Sequence, residues 1–142
     1  MSVKVLLVDD EEQFTEVLSE RMEARGYSVE IANSGPVAID KVKDKSYDAI
    51  ILDLAMPGMD GIETLKNIIT EKPELQIIFL TGHASLEKGI EAVKLGAMDF
   101  LEKPVDINKL MEKVKEATAN RILLTEKKTE EDIKDILKKK GW

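Results

Sequence analysis

The sequence predicts an open α/β fold, a doubly wound sheet of five parallel strands flanked by five helices. Three observations predict it. The branched apolar runs Val5-Leu6-Leu7-Val8, Ala49-Ile50-Ile51-Leu52 and Ile77-Ile78-Phe79-Leu80 are continuous, not alternating, as strands buried on both faces must be. Helix-length segments separate them, and parallel neighbours need such crossovers. Each run also ends on a polar group: Asp9-Asp10, Asp53 and Thr81, while Asp99-Phe100-Leu101-Glu102 ends on Lys103. In an open α/β sheet the carboxyl edge of the strands is where ligands bind.

The elements follow in order. A strand at 4–8 leads to a helix at 11–25, with Phe14, Val17, Leu18 and Met22 on one face and Gly26 at the expected C-terminal cap. The strand at 28–32, Ser28-Val-Glu-Ile-Ala, alternates in character and is placed at an edge. A helix at about 36–44 starts with Pro36 in its first turn, where a missing N–H costs little. A strand at 48–53, a loop shaped by Pro57-Gly58 and Asp60-Gly61, and a helix at 61–70 come next. Then follow a strand at 76–81, a helix at 85–95, a strand at 98–102 and a helix from 107. Asp106 is its N-cap, and Leu110 and Val114 mark its buried stripe.

The core domain is expected over 1–118. Residues 119–142 read as a short C-terminal helical extension, not an independent domain. In it Thr129-Glu-Glu-Asp132 resembles a capping box that would begin a further helix through Ile133, Ile136 and Leu137. Lys138, Lys139 and Lys140 suit the helix's C-terminal end, and Gly141 would stop it. The role of Trp142, anchoring or free, is left open.

The totals exclude several function classes. A chain of 142 residues, 43% hydrophobic and 35% charged, suits one soluble domain with a full core. With 21 basic against 28 acidic residues the net charge is −7, which disfavours nucleic acid as a direct partner. Aromatics are too few for base-stacking platforms. The absence of cysteine removes disulfides, thiolate catalysis and cysteine-ligated zinc. No segment has the roughly 20 apolar residues a membrane span needs, and no secretory signal opens the chain. The expected location is the cytoplasm, without membrane attachment.

The strand ends carry the chemistry. Three crowded carboxylates repel one another unless a cation joins them. A hard divalent ion with oxygen ligands does so, and Mg²⁺ (or Mn²⁺) leaves room for phosphate oxygens. A carboxylate so held is a competent nucleophile towards phosphorus. The Lys103 ammonium and the Thr81 hydroxyl could then each take an oxygen of the transferring group. Taken singly, each feature has a plainer reading as a solvated turn or an ordinary strand exit. Four such ends on one sheet edge make coincidence the poorer account.

Over roughly residues 3 to 117 the chain resembles the receiver domain of bacterial two-component response regulators. The motifs are Val8-Asp9-Asp10-Glu11, Asp53-Leu-Ala-Met-Pro-Gly-Met-Asp-Gly61, Leu80-Thr81-Gly82-His83-Ala84 and Gly96-Ala-Met-Asp-Phe-Leu-Glu-Lys-Pro104. The resemblance implies a flavodoxin-like strand order 2-1-3-4-5. It makes Asp53 the phosphoacceptor, with Asp9, Asp10, Asp53 and the Ala55 backbone carbonyl as metal ligands. Thr81 and Lys103 would stabilise the phosphoryl group, Thr81 and Phe100 would act as the switch, and the bond to Pro104 would be cis. Ala55 and His83 occupy positions that tune dephosphorylation; a solvent-facing His83 is the plainer reading.

The implied function is a phosphoacceptor switch, not an enzyme beyond its own phosphorylation and dephosphorylation. A sensor histidine kinase or histidine phosphotransfer protein would supply the phosphoryl group, and a downstream protein would read the altered surface, with no DNA-binding output. Ile122, Leu123, Ile133, Ile136 and Leu137 would allow a homodimer through the C-terminal helix; the face of the fourth helix, fifth strand and fifth helix is the other route. Two rivals weigh less. A Mg²⁺-dependent phosphohydrolase would want an acid where Ala55 stands. A flavin binder would want a phosphate cradle where Asp9-Asp10-Glu11-Glu12 stands.

Overall fold

A computed structural model describes residues 2–54, 56, 58–82 and 86–139, with backbone alone at 86. Ala55, Pro57, His83, Ala84, Lys140, Gly141 and Trp142 lie outside the described residues. The elements run β1 (Lys4–Val8), α1 (Glu12–Ala24), β2 (Ser28–Ala32), α2 (Gly35–Asp44), β3 (Ala49–Asp53), α3 (Gly61–Glu71), β4 (Ile77–Thr81), α4 (Leu86–Lys94), β5 (Asp99–Glu102) and α5 (Ile107–Lys139). All the strands are parallel, in the order β2-β1-β3-β4-β5. The fold is the doubly wound sheet expected, with the alternating segment β2 at one edge.

Side-chain alternation along the strands separates two cores. Leu6, Val8, Ile50, Leu52, Ile77 and Phe79 face α2, α3 and α4, where Ile62, Leu65, Ile68 and Ala92 meet them. Val5, Leu7, Ile51, Ile78 and Leu80 face α1 and α5, against Leu18, Met22, Leu110 and Val114. Burial of β1 beyond Lys4, and of β3 and β4 throughout, on both faces is why their sequences are apolar runs.

The helix ends follow from local chemistry. Gly26, at φ +92°, closes α1: its N–H donates to the Glu23 carbonyl, and that of Tyr27 to Met22. Gly96 and Ala97 end α4 by the same pair of bonds. Ser34, Asp60 and Asp106 cap α2, α3 and α5, accepting from the N–H groups of Val37, Glu63 and Asn108.

Two expectations need correction. Val17 is half exposed, and the buried side of α1 includes Thr15 and Ser19 instead. Their hydroxyls bond back to the carbonyls of Glu12 and Glu16, so burying them strands no polar group. The capping box at Thr129 does not form, because α5 continues through it. The Thr129 hydroxyl donates to the Thr125 carbonyl four residues back, as a helix-interior threonine does. The α5 helix therefore runs 33 residues, about 50 Å, and beyond Arg121 its side chains are exposed. Arg121 ties it to the sheet through Asp48 at 2.9 Å.

Candidate functional site

The strand ends bring the predicted acids together. Asp9 follows β1, Asp10 comes next, and Asp53 is the last residue of β3, which pairs directly with β1. One carboxylate oxygen from each lies within 4.8 Å of the others. Asp9 and Asp53 are buried, at 1% and 4% exposure, while Asp10 is open to solvent.

Lys103 enters from β5. Its backbone N–H donates to the Thr81 carbonyl at 2.7 Å, extending the β4–β5 ladder by one residue and aiming the side chain at the acids. Its Nζ lies 3.0 Å from Asp9 Oδ2 and 3.3 Å from Asp53 Oδ1. The other oxygen of Asp9 accepts the Glu11 N–H at 3.0 Å, fixing the carboxylate at both ends. Burial alone would lower the Lys103 pKa. The hydrogen bond to Asp9 and the fields of Asp53 and Asp9 outweigh it and hold the ammonium above its usual range. The Lys103–Pro104 peptide bond is cis.

Thr81 ends β4 beside Asp53, whose neighbour Leu54 donates its N–H to the Leu80 carbonyl. Its hydroxyl is fully buried and has no hydrogen-bond partner among the described residues. Such a group costs free energy unless something pairs with it. Phe100 is half-buried on β5, packed on the α2–α4 side. The backbone after Asp53 is held close by Gly61. A Cβ there would stand 2.6 Å from the Asp53 carbonyl oxygen, so only glycine lets α3 start against this loop.

Reading from sequence missed Phe14, whose ring lies under the Lys103 ammonium at 4.4 Å from its centroid. Its place in the first turns of α1, just after the acids, was the available signal. The Ala55 carbonyl and His83 lie outside the described residues.

The donor set is entirely hard oxygen, three carboxylates against one ammonium, which fits Mg²⁺ or Mn²⁺ and not a soft metal. A model of the response regulator receiver domain matches residues 5–115. The chain belongs to that family. Over 118 residues this receiver is 40% identical to the transcriptional regulatory protein ZraR of Klebsiella oxytoca, covering 83% of this chain and 27% of that protein. The chain thus spans about a quarter of the length of that curated relative. Among solved structures, a response regulator receiver domain protein from Clostridium thermocellum superposes with a TM-score of 0.83 at 31% identity, covering 86% of this chain and 98% of that one. An adenylate cyclase chain from Rhodopirellula baltica gives 0.85 at 27% identity, over 91% and 96%. Among the described residues of this receiver, no helix is long and apolar enough to cross a membrane.

Proposed function

We propose that this receiver is a cytoplasmic phosphoacceptor switch in a two-component phosphorelay. It takes a phosphoryl group on Asp53 from a sensor histidine kinase or a histidine phosphotransfer protein. The observation that carries the reading is the buried Asp53 carboxylate, grouped with Asp9 and Asp10 and paired to Lys103. Asp9, Asp10, Asp53 and the Ala55 carbonyl would hold Mg²⁺ or Mn²⁺, which supplies charge neutralisation and orientation for the incoming phosphate.

In the transfer, an Asp53 Oδ forms a bond to phosphorus as the bond from phosphorus to the donor's imidazole nitrogen breaks. The imidazole keeps that electron pair. Lys103, already beside Asp53, takes one phosphoryl oxygen; the Thr81 hydroxyl, unpaired among the described residues, is a donor for another. Engagement of Thr81 empties space that Phe100 fills, and the surface of α4, β5 and α5 changes for a downstream protein. Water later releases the phosphate, at a rate tuned by Ala55 and His83. A small-molecule phosphatase reading has no comparable support, since no acid stands at Ala55.

Incubation with acetyl phosphate and Mg²⁺ should add one phosphoryl group by intact mass, and Asp53→Asn should show none. Normal labelling of that variant would overturn the assignment. A pull-down with and without beryllofluoride, a phosphoryl mimic, then finds the protein that reads the switched face.

A further inference from the structure

Gly89 is the fourth residue of α4, buried, with ordinary helical backbone. No left-handed turn asks for glycine there, and in a helix interior glycine is the poorest choice after proline. What occupies the place of its missing side chain is the ring of Phe100. A Cβ at position 89 would stand 2.7 Å from Phe100 Cδ2, 2.8 Å from Cγ and 3.1 Å from Cδ1. These atoms are the base of the ring, not its tip. The Cγ position depends on χ1 alone, so turning the ring about χ2 does not relieve the overlap. Only a change of χ1 at Phe100, or a shift of α4, makes room.

Phe100 sits opposite Phe79 in the β4–β5 register, and alternation places Thr81 on that same side of the sheet. The ring beneath Gly89 and the Thr81 hydroxyl, unpaired among the described residues, therefore share one face, at the junction of α4 with the sheet.

We infer that Gly89 sets the rest position of the switch: its bare Cα is the berth that keeps Phe100 under α4. This rests on the reading above, in which Phe100 moves when Asp53 carries phosphate. A methyl group at 89 strains the resting state and leaves the switched state unstrained. It therefore moves the equilibrium towards the latter, and a ligand that favours the switched state binds more tightly.

The test measures Mg²⁺-dependent beryllofluoride affinity for wild type, Gly89→Ala, Phe100→Ala and the double variant. Gly89→Ala should bind about threefold tighter or better, and the double variant should match Phe100→Ala, since a berth matters only while the ring exists. Equal or weaker affinity in Gly89→Ala, or the same gain without the ring, overturns the inference. If Gly89→Ala is too unstable for titration, thermal unfolding without ligand decides. Gly89→Ala should lower Tm with Phe100 present and raise it in the Phe100→Ala background, where alanine's helix propensity acts unopposed. A change of the same sign in both backgrounds sinks the idea. Failure of wild type to bind beryllofluoride at all would instead bring down the phosphoacceptor reading, and this inference with it.

Discussion

Two of the clusters of acids and ammonium groups beside the sheet are balanced differently. Near the start of β3, one carboxylate, Glu30, meets the Lys45 ammonium at 2.7 Å, that of Lys41 at 4.0 Å, and the hydroxyl of buried Tyr47. The bonds from Lys45 and then Tyr47 hold the Glu30 carboxyl below its ordinary range. Burial first, and then the bond to Glu30, pushes the Tyr47 hydroxyl well above its own. At the carboxyl end of the strands, three carboxylates meet one ammonium, Lys103. In the first cluster two ammonium groups more than offset the one carboxylate. The second keeps a surplus of negative charge with two of its acids buried, which a hard dication would remove. A buried excess of negative charge, not the presence of an ion pair, separates this cluster from the one at Glu30.

The largest contrast is chemical. Asp53→Asn should abolish phosphoryl incorporation, whereas Glu30→Gln should label like wild type. Equal loss in both would mean that labelling reports general folding. Metal affinity comes next. Asp9→Asn or Asp10→Asn should weaken Mg²⁺ binding by about tenfold or more, equivalent to about 1.4 kcal/mol, in a calorimetric titration. Glu30→Gln should leave the titration unchanged, and unaltered binding in both Asp variants would remove the metal from the site.

Lys103 tests the same balance from the cation's side. Its loss leaves Asp9 and Asp53 buried without their ammonium. Lys103→Met should melt earlier than wild type without metal and recover a larger share of its Tm on adding Mg²⁺. Wild type itself should gain about 2.7 kcal/mol at a hundredfold excess of Mg²⁺ over Kd. A variant that melts early but gains no more from Mg²⁺ than wild type would show that Lys103 does not share the charge of these acids.

Much of this site was legible in the sequence because parallel strands buried on both faces are unbroken apolar runs, and the residue ending each run sits on one edge. Asp9, Asp10, Asp53 and Lys103 are read off that way, since register carries them together. The Glu30 cluster was not legible: its partners come from α2 and the segment before β3, and nothing local relates Glu30 to Tyr47. Phe14 under Lys103, and Gly89 over Phe100, are contacts between elements that periodicity does not relate. Thr129 misled for another reason. A hydroxyl three residues before an acid caps a helix only if the chain breaks there, and here it bonds back to Thr125 within an unbroken α5.

The smallest effect belongs to the Glu30 cluster. Tyr47→Phe removes one buried hydroxyl and its bond to Glu30, which costs about 1 kcal/mol near neutral pH. The dependence on pH distinguishes that bond from packing. Glu30 is depressed in the folded chain below its ordinary 4.5, so its contribution is present above that value and is lost as pH falls through the folded pKa. Tyr47 is raised above its ordinary 10.0, so its contribution is complete below that value and declines as the pH rises beyond it. The stability gap between wild type and Tyr47→Phe should therefore be widest between these limits and should narrow at both extremes, as read by Tm across pH. A gap independent of pH would assign the loss to shape alone. Because the lysines already offset Glu30, the variant should also leave Mg²⁺ affinity and Asp53 labelling untouched, and a change in either would couple the two clusters through β3.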